Sequence, residues 1–338
     1  AGVGLVVVPE LEAEIEEISR TVAKRLRRPY ADFAAGVTKQ ATLPEGAVSI
    51  GLVGTAPGFV MAADGTAPVV VLPGPPAELR RLWPRALETE AVRAVLARAR
   101  TPTRRVLRFY GASESAVAQA LFEAGGDGDG VEATICARDF EIHVDLVVEP
   151  GAEARGEALT DALRDPLERY LFAEDERSVA ELVLDLCRER GFRLATAESC
   201  TGGLVAARLS DVPGASDVLA GGIVSYANDV KTAELGVPAG LIAEHGAVSA
   251  EVAEAMADGV RGRLGVDVGI AVTGVAGPGG GTPEKPVGLV FFHVGTPDGG
   301  EARSFSLPGD RATIRSRATV SALHLARQVL TRSRHEVG

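Results

Sequence analysis

The sequence is poor in aromatic residues, cysteine and lysine, and each shortage excludes something. Aromatic residues make up 4% of the 338 residues, so the cores must be built mainly from Ala, Val and Leu. The spacing of the three cysteines fits neither a zinc site nor a disulfide framework, and free thiols suit a reducing cytosol. No apolar run approaches the roughly 18 residues of a membrane span. The first residues lack the basic start of a signal peptide, so we expect a cytoplasmic protein.

Charge and length limit the class further. A net charge of −11 argues against the broad basic surface of a nucleic-acid-binding protein. At roughly 100–200 residues per domain, the length predicts two or three domains. Of 35 basic residues only four are lysines, namely Lys24, Lys39, Lys231 and Lys285. Such a lysine marks either a position that needs a titratable amine or simple chance.

Periodicity and turn residues predict an α/β chain of three domains, over residues 1–100, 103–175 and 178–336. In the first, a helix over 9–28 and a polar loop precede strands at 47–53, 58–61 and 69–72 and a helix at 77–82. The second is a small α+β unit, with strands at 105–110, 131–137 and 141–148 and helices at 113–123 and 156–170. The third is a three-layer α/β/α domain with a mixed sheet. Its first helix, 179–190, begins with a capping box of Ser178 and Glu181.

The third domain alternates helices and strands to its end. Strands are predicted at 193–198, 221–225, 268–272, 288–294 and 301–306, with helices at 202–209, 230–235, 250–264 and 311–332.

A strand of this domain ends in the run Ala-Glu-Ser-Cys-Thr-Gly-Gly, residues 197–203, and a helix begins at the glycines. The first N–H groups of a helix are unpaired and carry partial positive charge. With Gly202 and Gly203 there, a phosphate or an oxyanion can approach closely. The alternative is an ordinary helix cap, with Ser199 or Thr201 as the capping oxygen.

A second run, from Thr273 to Thr282, is rich in glycine and includes Gly274 and Gly277. It follows a predicted strand at its carboxyl end, where open α/β sheets place ligands. It lacks the Gly-Lys-Ser/Thr of a Walker loop, and no helix follows it as a dinucleotide fingerprint requires. The alternative is a flexible surface loop.

The third candidate is a pair of segments that flank another strand. They contain the hydroxyl of Ser216, the phenol of Tyr226 and the amine of Lys231. A desolvated lysine has a lowered pKa and can act as a base for a serine. None of the five histidines lies in these motifs, so a Ser–His–Asp triad is not supported. Cys200 has no histidine nearby and ranks below the serines as a nucleophile.

Taken in order, these segments resemble the C-terminal domain of the CinA (competence/damage-inducible) family, from about Ser178 onward. The runs are A-E-S-C-T-G-G, P-G-A-S, G-G-I-V-S-Y-A-N-D-V-K, H-G-A-V-S, T-G-V-A-G-P-G-G and P-V-G-L-V. The resemblance implies an amidase that converts nicotinamide mononucleotide and water into nicotinate mononucleotide and ammonia. It also implies a homodimer and no metal or other cofactor for this reaction. The family's functional positions fall on Ser199, Thr201, Ser216, Tyr226, Lys231 and Thr273.

The resulting hypothesis is a Ser/Lys arrangement. Ser216 attacks the carboxamide carbon or orients a water, neutral Lys231 accepts its proton, and Tyr226 positions Lys231. Ser199 is the rival nucleophile. Donors for the oxyanion or the 5′-phosphate are expected near Ser199, Thr201, Gly202, Gly203, Thr273, Gly274 and Gly277, with Arg311 adding charge for the phosphate.

The first domain resembles the second half of a molybdopterin-binding-like fold that, in some family members, cleaves ADP-ribose with a divalent metal. We expect the first half, with its phosphate- and metal-binding segment, to lie before Ala1 and this chain to lack that activity. Two alternatives stay open. One is a nucleotide-binding protein of competence or DNA damage without turnover, and the other is ADP-ribose hydrolysis by a full-length chain.

Overall fold

The chain divides into two units, Ala1–Thr101 and Pro102–Gly338, and the computed structural model describes residues 3–62 and 67–332 of it. The division gives no separate unit to residues 103–175, and the end of the third predicted domain, 333–336, lies outside the described residues. The three-domain boundaries therefore stay a prediction. No helix in the described part is both long and apolar enough to cross a bilayer.

The described residues of the first unit, 3–62 and 67–101, form two small antiparallel sheets and four helices. Strand β1 (Leu5–Val7) is followed by helices α1 (Pro9–Leu26) and α2 (Ala31–Gln40) and by β2 (Thr42–Pro44), which pairs with β1. A three-stranded sheet follows, with β3 (Val48–Gly51), β4 (Gly58–Met61) and β5 (Val69–Val71). Helices α3 (Pro76–Leu87) and α4 (Glu90–Leu96) complete the unit.

Two predictions in this unit are wrong in part. The polar loop predicted after residue 28 contains α2, because Val37 packs into a core with Leu11 and Ile15 and holds an alanine-rich segment that has little pattern of its own. Helix α3 was predicted to end at residue 82 but continues through Pro84, since Leu82 and Ala86 both lie in the core. Tertiary burial outweighs the helix-breaking tendency of a proline here.

The second unit begins with a four-stranded antiparallel sheet. Strand β6 (Thr103–Tyr110), helix α5 (Glu114–Glu123), strands β7 (Val131–Arg138) and β8 (Glu141–Val148) and helix α6 (Glu153–Leu167) follow the predicted pattern closely. A short strand, β9 (Leu171–Ala173), was not predicted, and the sheet order is β7-β8-β6-β9. Leu107, Phe109, Val117, Leu146 and Leu159 form the centre of its core.

The remainder of this unit is a mixed α/β domain, as predicted. Its elements are α7 (Val179–Arg190), β10 (Leu194–Glu198), α8 (Leu204–Ser210), β11 (Leu219–Val224), α9 (Asn228–Leu235), α10 (Ala239–His245), α11 (Ala250–Leu264), β12 (Val268–Gly274), β13 (Leu289–Thr296), β14 (Gly299–Ser306) and α12 (Arg311–Arg332). Ser178 and Glu181 form the predicted capping box on α7. Helix α10 was not predicted.

The sheet order of this domain is β11-β10-β12-β13-β14, and this order determines where the candidate site lies. Strands β11, β10 and β12 are parallel, and β13 and β14 run antiparallel to their neighbours. Helices α7, α8 and α12 pack on one face and α9 and α11 on the other, which makes three layers. The chain leaves β10 toward β11 on one side and later returns to β12 on the other. Such a reversal opens a crevice at the carboxyl ends of the strands, where α/β sheets bind ligands.

A buried acid joins the antiparallel sheet to α12. The carboxylate of Glu141 lies 3.1 Å from Nε2 of His143 and 2.7 Å from Nε2 of His324. Burial raises the pKa of Glu141 to about 7, and burial also lowers the pKa of His324 well below its ordinary value. Neutral forms of both groups are therefore favoured at this contact.

This arrangement predicts a pH dependence of stability. Because folding raises the pKa of Glu141 from 4.5 to about 7, its contribution to stability is complete below pH 4.5 and is lost as the pH rises through 7. A Glu141→Gln side chain stays neutral and can still donate a hydrogen bond to His324. We expect equal free energies of unfolding for the variant and the wild type near pH 4.5. At alkaline pH the variant should be more stable by about 1–3 kcal/mol. Urea titrations at the two pH values test this, and a wild type more stable than the variant at alkaline pH contradicts it.

Candidate active site

Three parallel strands deliver hydroxyl side chains to one edge of the sheet. Ser199 directly follows β10, Ser225 directly follows β11, and Thr273 lies at the end of β12. The amide of Ser199 donates to the carbonyl of Val272 at 2.9 Å, which continues the β10–β12 ladder into the loop. Because these strand ends lie side by side, residues that are far apart in sequence meet at one edge of the sheet.

The amine of Lys231 is buried among these strand ends. Lys231 lies in α9, its side chain is 1% exposed, and its Nζ donates to Ser199 Oγ at 3.1 Å and to the carbonyls of Ser225 at 2.8 Å and Tyr226 at 3.4 Å. Burial lowers the pKa of Lys231 below its ordinary value; the Cys200 thiol opposes part of that shift, and no carboxylate in the described part of the chain does. A buried amine without a counter-ion favours its neutral form, which can accept a proton.

The structure brings Lys231 within hydrogen-bond distance of Ser199 and not of Ser216, which was the preferred nucleophile of the sequence hypothesis. Ser216 is exposed in the short turn before β11. The carbonyl that Lys231 contacts belongs to Ser225, just beyond the other end of β11. A strand of these six residues is roughly 20 Å long, so Ser216 and the amine lie at opposite ends of the sheet.

The buried carboxylate of Glu198 occupies the N-terminus of α8. Its two oxygens accept hydrogen bonds from the backbone amides of Gly203 at 2.9 Å, Val205 at 3.0 Å and Ala206 at 2.9 Å, and from Thr196 Oγ1 at 2.9 Å. The expectation that this helix end holds a ligand phosphate or oxyanion is therefore wrong for these amides, because a side-chain carboxylate already satisfies them. Glu198 was not singled out from the sequence, although an acid shortly before a Gly-Gly helix start is a usable signal.

Backbone conformation and close packing explain three glycines of the predicted motifs. Gly202 and Gly203 have φ of 61° and 97°, in the left-handed region that side chains disfavour. Gly274 is needed for close packing, since a Cβ there would lie 2.8 Å from the carbonyl oxygen of Leu289. Thr273 donates its hydroxyl to the carbonyl of Ala247 at 2.7 Å, so it anchors the loop before α11.

Tyr226 and Arg311 meet at the solvent side of the site. The Tyr226 phenol accepts a hydrogen bond from Arg311 Nη2, and Arg311 Nη1 donates to the carbonyl of Gly277 at 2.7 Å. Tyr226 was predicted to position Lys231. Its phenol instead contacts Arg311, and only its backbone carbonyl lies near the amine. Arg311 remains exposed, so its charge is accessible to a ligand.

Arg315, which was not singled out from the sequence, holds the loop that carries Ser199. It lies one turn after Arg311 in α12, and its guanidinium donates to the carbonyls of Cys200 at 3.0 Å and Thr201 at 2.8 Å. The hydroxyls of Thr201 and Ser225 are fully buried and have no hydrogen-bond partner among the described residues. Burial raises the pKa of the Cys200 thiol to about 11, which disfavours its thiolate as a nucleophile.

The chain is similar to CinA proteins over most of its length. A family model described as the CinA C-terminal domain matches residues 176–330. The chain is 46% identical over 330 residues to a CinA-like protein of Mycolicibacterium gilvum, covering 96% of this chain and 77% of that protein. It is 45% identical over 341 residues to a CinA-like protein of Mycobacterium avium, covering 95% and 78%. A competence/damage inducible protein of Agrobacterium tumefaciens, solved by crystallography, is 36% identical and superposes with a TM-score of 0.44 over 47% of this chain and 99% of its own.

The Glu198 contacts predict a large loss of stability on truncation. Glu198→Ala leaves the buried amide of Val205, the half-buried amides of Gly203 and Ala206 and the buried hydroxyl of Thr196 without this acceptor. Since each unpaired buried group costs about 1–3 kcal/mol, we expect the free energy of unfolding to fall by about 3 kcal/mol or more.

The matched control is Glu181→Ala, which removes an exposed acid from the start of α7 and should cost about 1 kcal/mol. Chemical denaturation of both variants measures the difference. Equal losses for the two variants contradict the account of Glu198.

Proposed function

The chain belongs to the CinA family, and from this premise we propose that it hydrolyses the carboxamide of nicotinamide mononucleotide, with Ser199 as nucleophile and Lys231 as base. The products are nicotinate mononucleotide and ammonia. The substrate comes from the family resemblance of the motifs. The assignment of the two residues comes from the geometry.

One observation supports the chemistry above all others: Lys231 Nζ, buried and without a counter-ion among the described residues, lies 3.1 Å from Ser199 Oγ. A serine hydroxyl is a weak nucleophile unless a base within hydrogen-bond distance takes its proton. A neutral amine at this distance meets that requirement, while a charged one does not.

In the first half of the reaction, Ser199 Oγ forms a bond to the carboxamide carbon while its proton passes to Lys231 Nζ. The carbonyl oxygen becomes an oxyanion. As this tetrahedral intermediate collapses, the C–N bond breaks and the Lys231 ammonium returns the proton to the leaving nitrogen, which departs as ammonia. An ester between Ser199 and the nicotinate carbonyl remains.

In the second half, a water replaces the serine. The neutral amine of Lys231 takes a proton from the water as its oxygen bonds to the ester carbon. The C–O bond to Ser199 then breaks, and the proton passes from Lys231 to the serine oxygen. Nicotinate mononucleotide leaves, and the enzyme returns to its starting protonation state.

Groups around the pair are suited to binding the substrate. The buried hydroxyl of Thr201 belongs to a residue two positions after Ser199. The buried hydroxyl of Ser225 belongs to the residue whose carbonyl accepts a hydrogen bond from the amine. Each hydroxyl is therefore a candidate donor to the oxyanion. The exposed guanidinium of Arg311 is a candidate partner for the 5′-phosphate. The homodimer that the resemblance implies stays a prediction.

Substitution of the two serines separates the assignments. We expect Ser199→Ala to reduce kcat for nicotinamide mononucleotide by about 10³-fold or more, because no nucleophile remains beside the amine. Ser216→Ala is the matched control and should keep kcat within about twofold of the wild type, since the exposed Ser216 lies at the other end of β11. Ammonia release measures both rates. Loss of activity in Ser216→Ala together with near wild-type activity in Ser199→Ala identifies Ser216 as the nucleophile instead.

The lowered pKa of Lys231 predicts the pH profile. Since the reaction needs the neutral amine, kcat/KM should rise with pH and reach a plateau above a pKa that lies below 10.5. Lys231→Arg should lose this rise together with most of the activity, because a guanidinium stays protonated. An unchanged profile in Lys231→Arg shows that another group is the base.

A second candidate function is nucleotide binding without turnover. Calorimetric binding of nicotinamide mononucleotide to the wild type with no ammonia release favours it over the amidase.

A further inference from the structure

The hairpin between β7 and β8 has an unusual tip. Arg138 and Glu141 are paired across the hairpin, so its turn consists of Asp139 and Phe140 alone. These residues have φ of 51° and 68°. Positive φ at both positions is the pattern of a type I′ turn, which strongly favours Asn-Gly or Asp-Gly. A phenylalanine at the second position is strained, so contacts outside the hairpin must hold it there.

Phe140 makes those contacts with α12 and β6. The guanidinium of Arg317 in α12 lies 5.1 Å from the ring centroid of Phe140, within the range of a cation–π contact. The ring of Tyr110 lies edge-on to it at 6.0 Å. Tyr110 in turn donates a hydrogen bond to Ser321 Oγ at 2.9 Å and stacks on His324 at 3.8 Å, both in α12.

The residues on either side of Phe140 extend this contact to a second helix. Asp139 accepts a hydrogen bond from Arg208 of α8 at 3.1 Å. Glu141 lies 2.7 Å from His324 of α12. The tip, defined here as residues Asp139–Glu141, therefore touches α8 and α12, two of the three helices on this face of the mixed sheet.

Both helices carry parts of the candidate site at their N-terminal ends. Helix α8 begins directly after the Ser199 loop, and its first amides are held by Glu198. Helix α12 begins at Arg311, and its Arg315 holds the carbonyls of Cys200 and Thr201 in the same loop. Contacts with both helices therefore hold the Ser199 loop, so the position of this loop depends on the distance between α8 and α12.

We propose that the β7–β8 tip positions the catalytic serine: by contacting α8 through Asp139 and α12 through Phe140 and Glu141, it fixes the two helices that hold the Ser199 loop. The small antiparallel domain thus acts as a support of the active site. Asp139 and Phe140 are positioning residues, since neither touches Ser199 or Lys231. The catalytic part of this inference rests on the proposed amidase function.

The test replaces the tip by a turn that folds better but cannot hold the helices. Asp139→Asn together with Phe140→Gly creates the turn sequence that a type I′ hairpin prefers, so the hairpin should stay formed. The double variant loses the ion pair to Arg208 and the ring contact to Arg317. We expect thermal stability near that of the wild type, kcat lower by about tenfold and KM changed by less than about twofold.

Asp129→Gly is the matched control. Asp129 also has a positive φ, of 51°, and lies in the turn before the opposite end of β7. This variant relieves the same kind of backbone strain in the same domain without touching the tip. Its kcat should equal that of the wild type.

A second measurement needs no enzymatic activity. Amide hydrogen exchange of Gly203, Val205 and Ala206 reports how firmly the start of α8 is held. The double variant should exchange faster at these amides, and Asp129→Gly should not. Wild-type kcat together with unchanged exchange in the double variant overturns the proposal.

The two readouts also separate failure of this proposal from failure of the amidase proposal. If the wild-type protein releases no ammonia, the amidase assignment fails, and hydrogen exchange alone decides the role of the tip: faster exchange supports it and unchanged exchange refutes it.

Discussion

The site depends on one constraint, the burial of a lysine amine that has no counter-ion among residues 3–62 and 67–332. Lys231 is 1% exposed, and its Nζ is surrounded by the hydroxyl of Ser199 and by backbone carbonyls. Because removing a charge from water is unfavourable, burial lowers the pKa of such an amine and favours its neutral form. A serine that faces a charged lysine gains no base, whereas one that faces a neutral lysine does. The other contacts of the site exclude water from this amine and hold it in position.

The fold meets that requirement through the ends of parallel strands. β10 places Ser199, β11 ends at the carbonyls that fix the amine, and β12 anchors the neighbouring loop through Thr273. Glu198 and Arg315 then hold the Ser199 loop from its amide and carbonyl sides. The side chains of Glu198 and Arg315 thus bind backbone groups near the nucleophile, and neither contacts Lys231 in the described part of the chain. Burial is therefore the largest influence on the pKa of the amine, and the Cys200 thiol opposes part of it.

Much of this could be predicted from sequence, and the failures share a cause. The helices and strands of the mixed sheet follow from periodicity, and the motifs marked Ser199 and Lys231 as candidates, which the structure places in contact. The pairing of Lys231 with Ser199, in place of Ser216, could not be predicted, because proximity in sequence favoured Ser216 while strand direction put it at the far end of β11. Glu198 was missed because nothing local shows that its carboxylate folds back onto α8. Helix α2 was missed because its burial depends on α1.

Titration of the lysine amines is the most direct test of the central claim. The chain has four lysines, so labelling lysine with ¹⁵N and ¹³C at the side-chain end gives a set of NMR signals small enough to assign by single substitutions. The account predicts that the Lys231 signal, identified by its loss in Lys231→Arg, titrates below 10.5. A Lys231 signal that titrates at or above 10.5 contradicts the account.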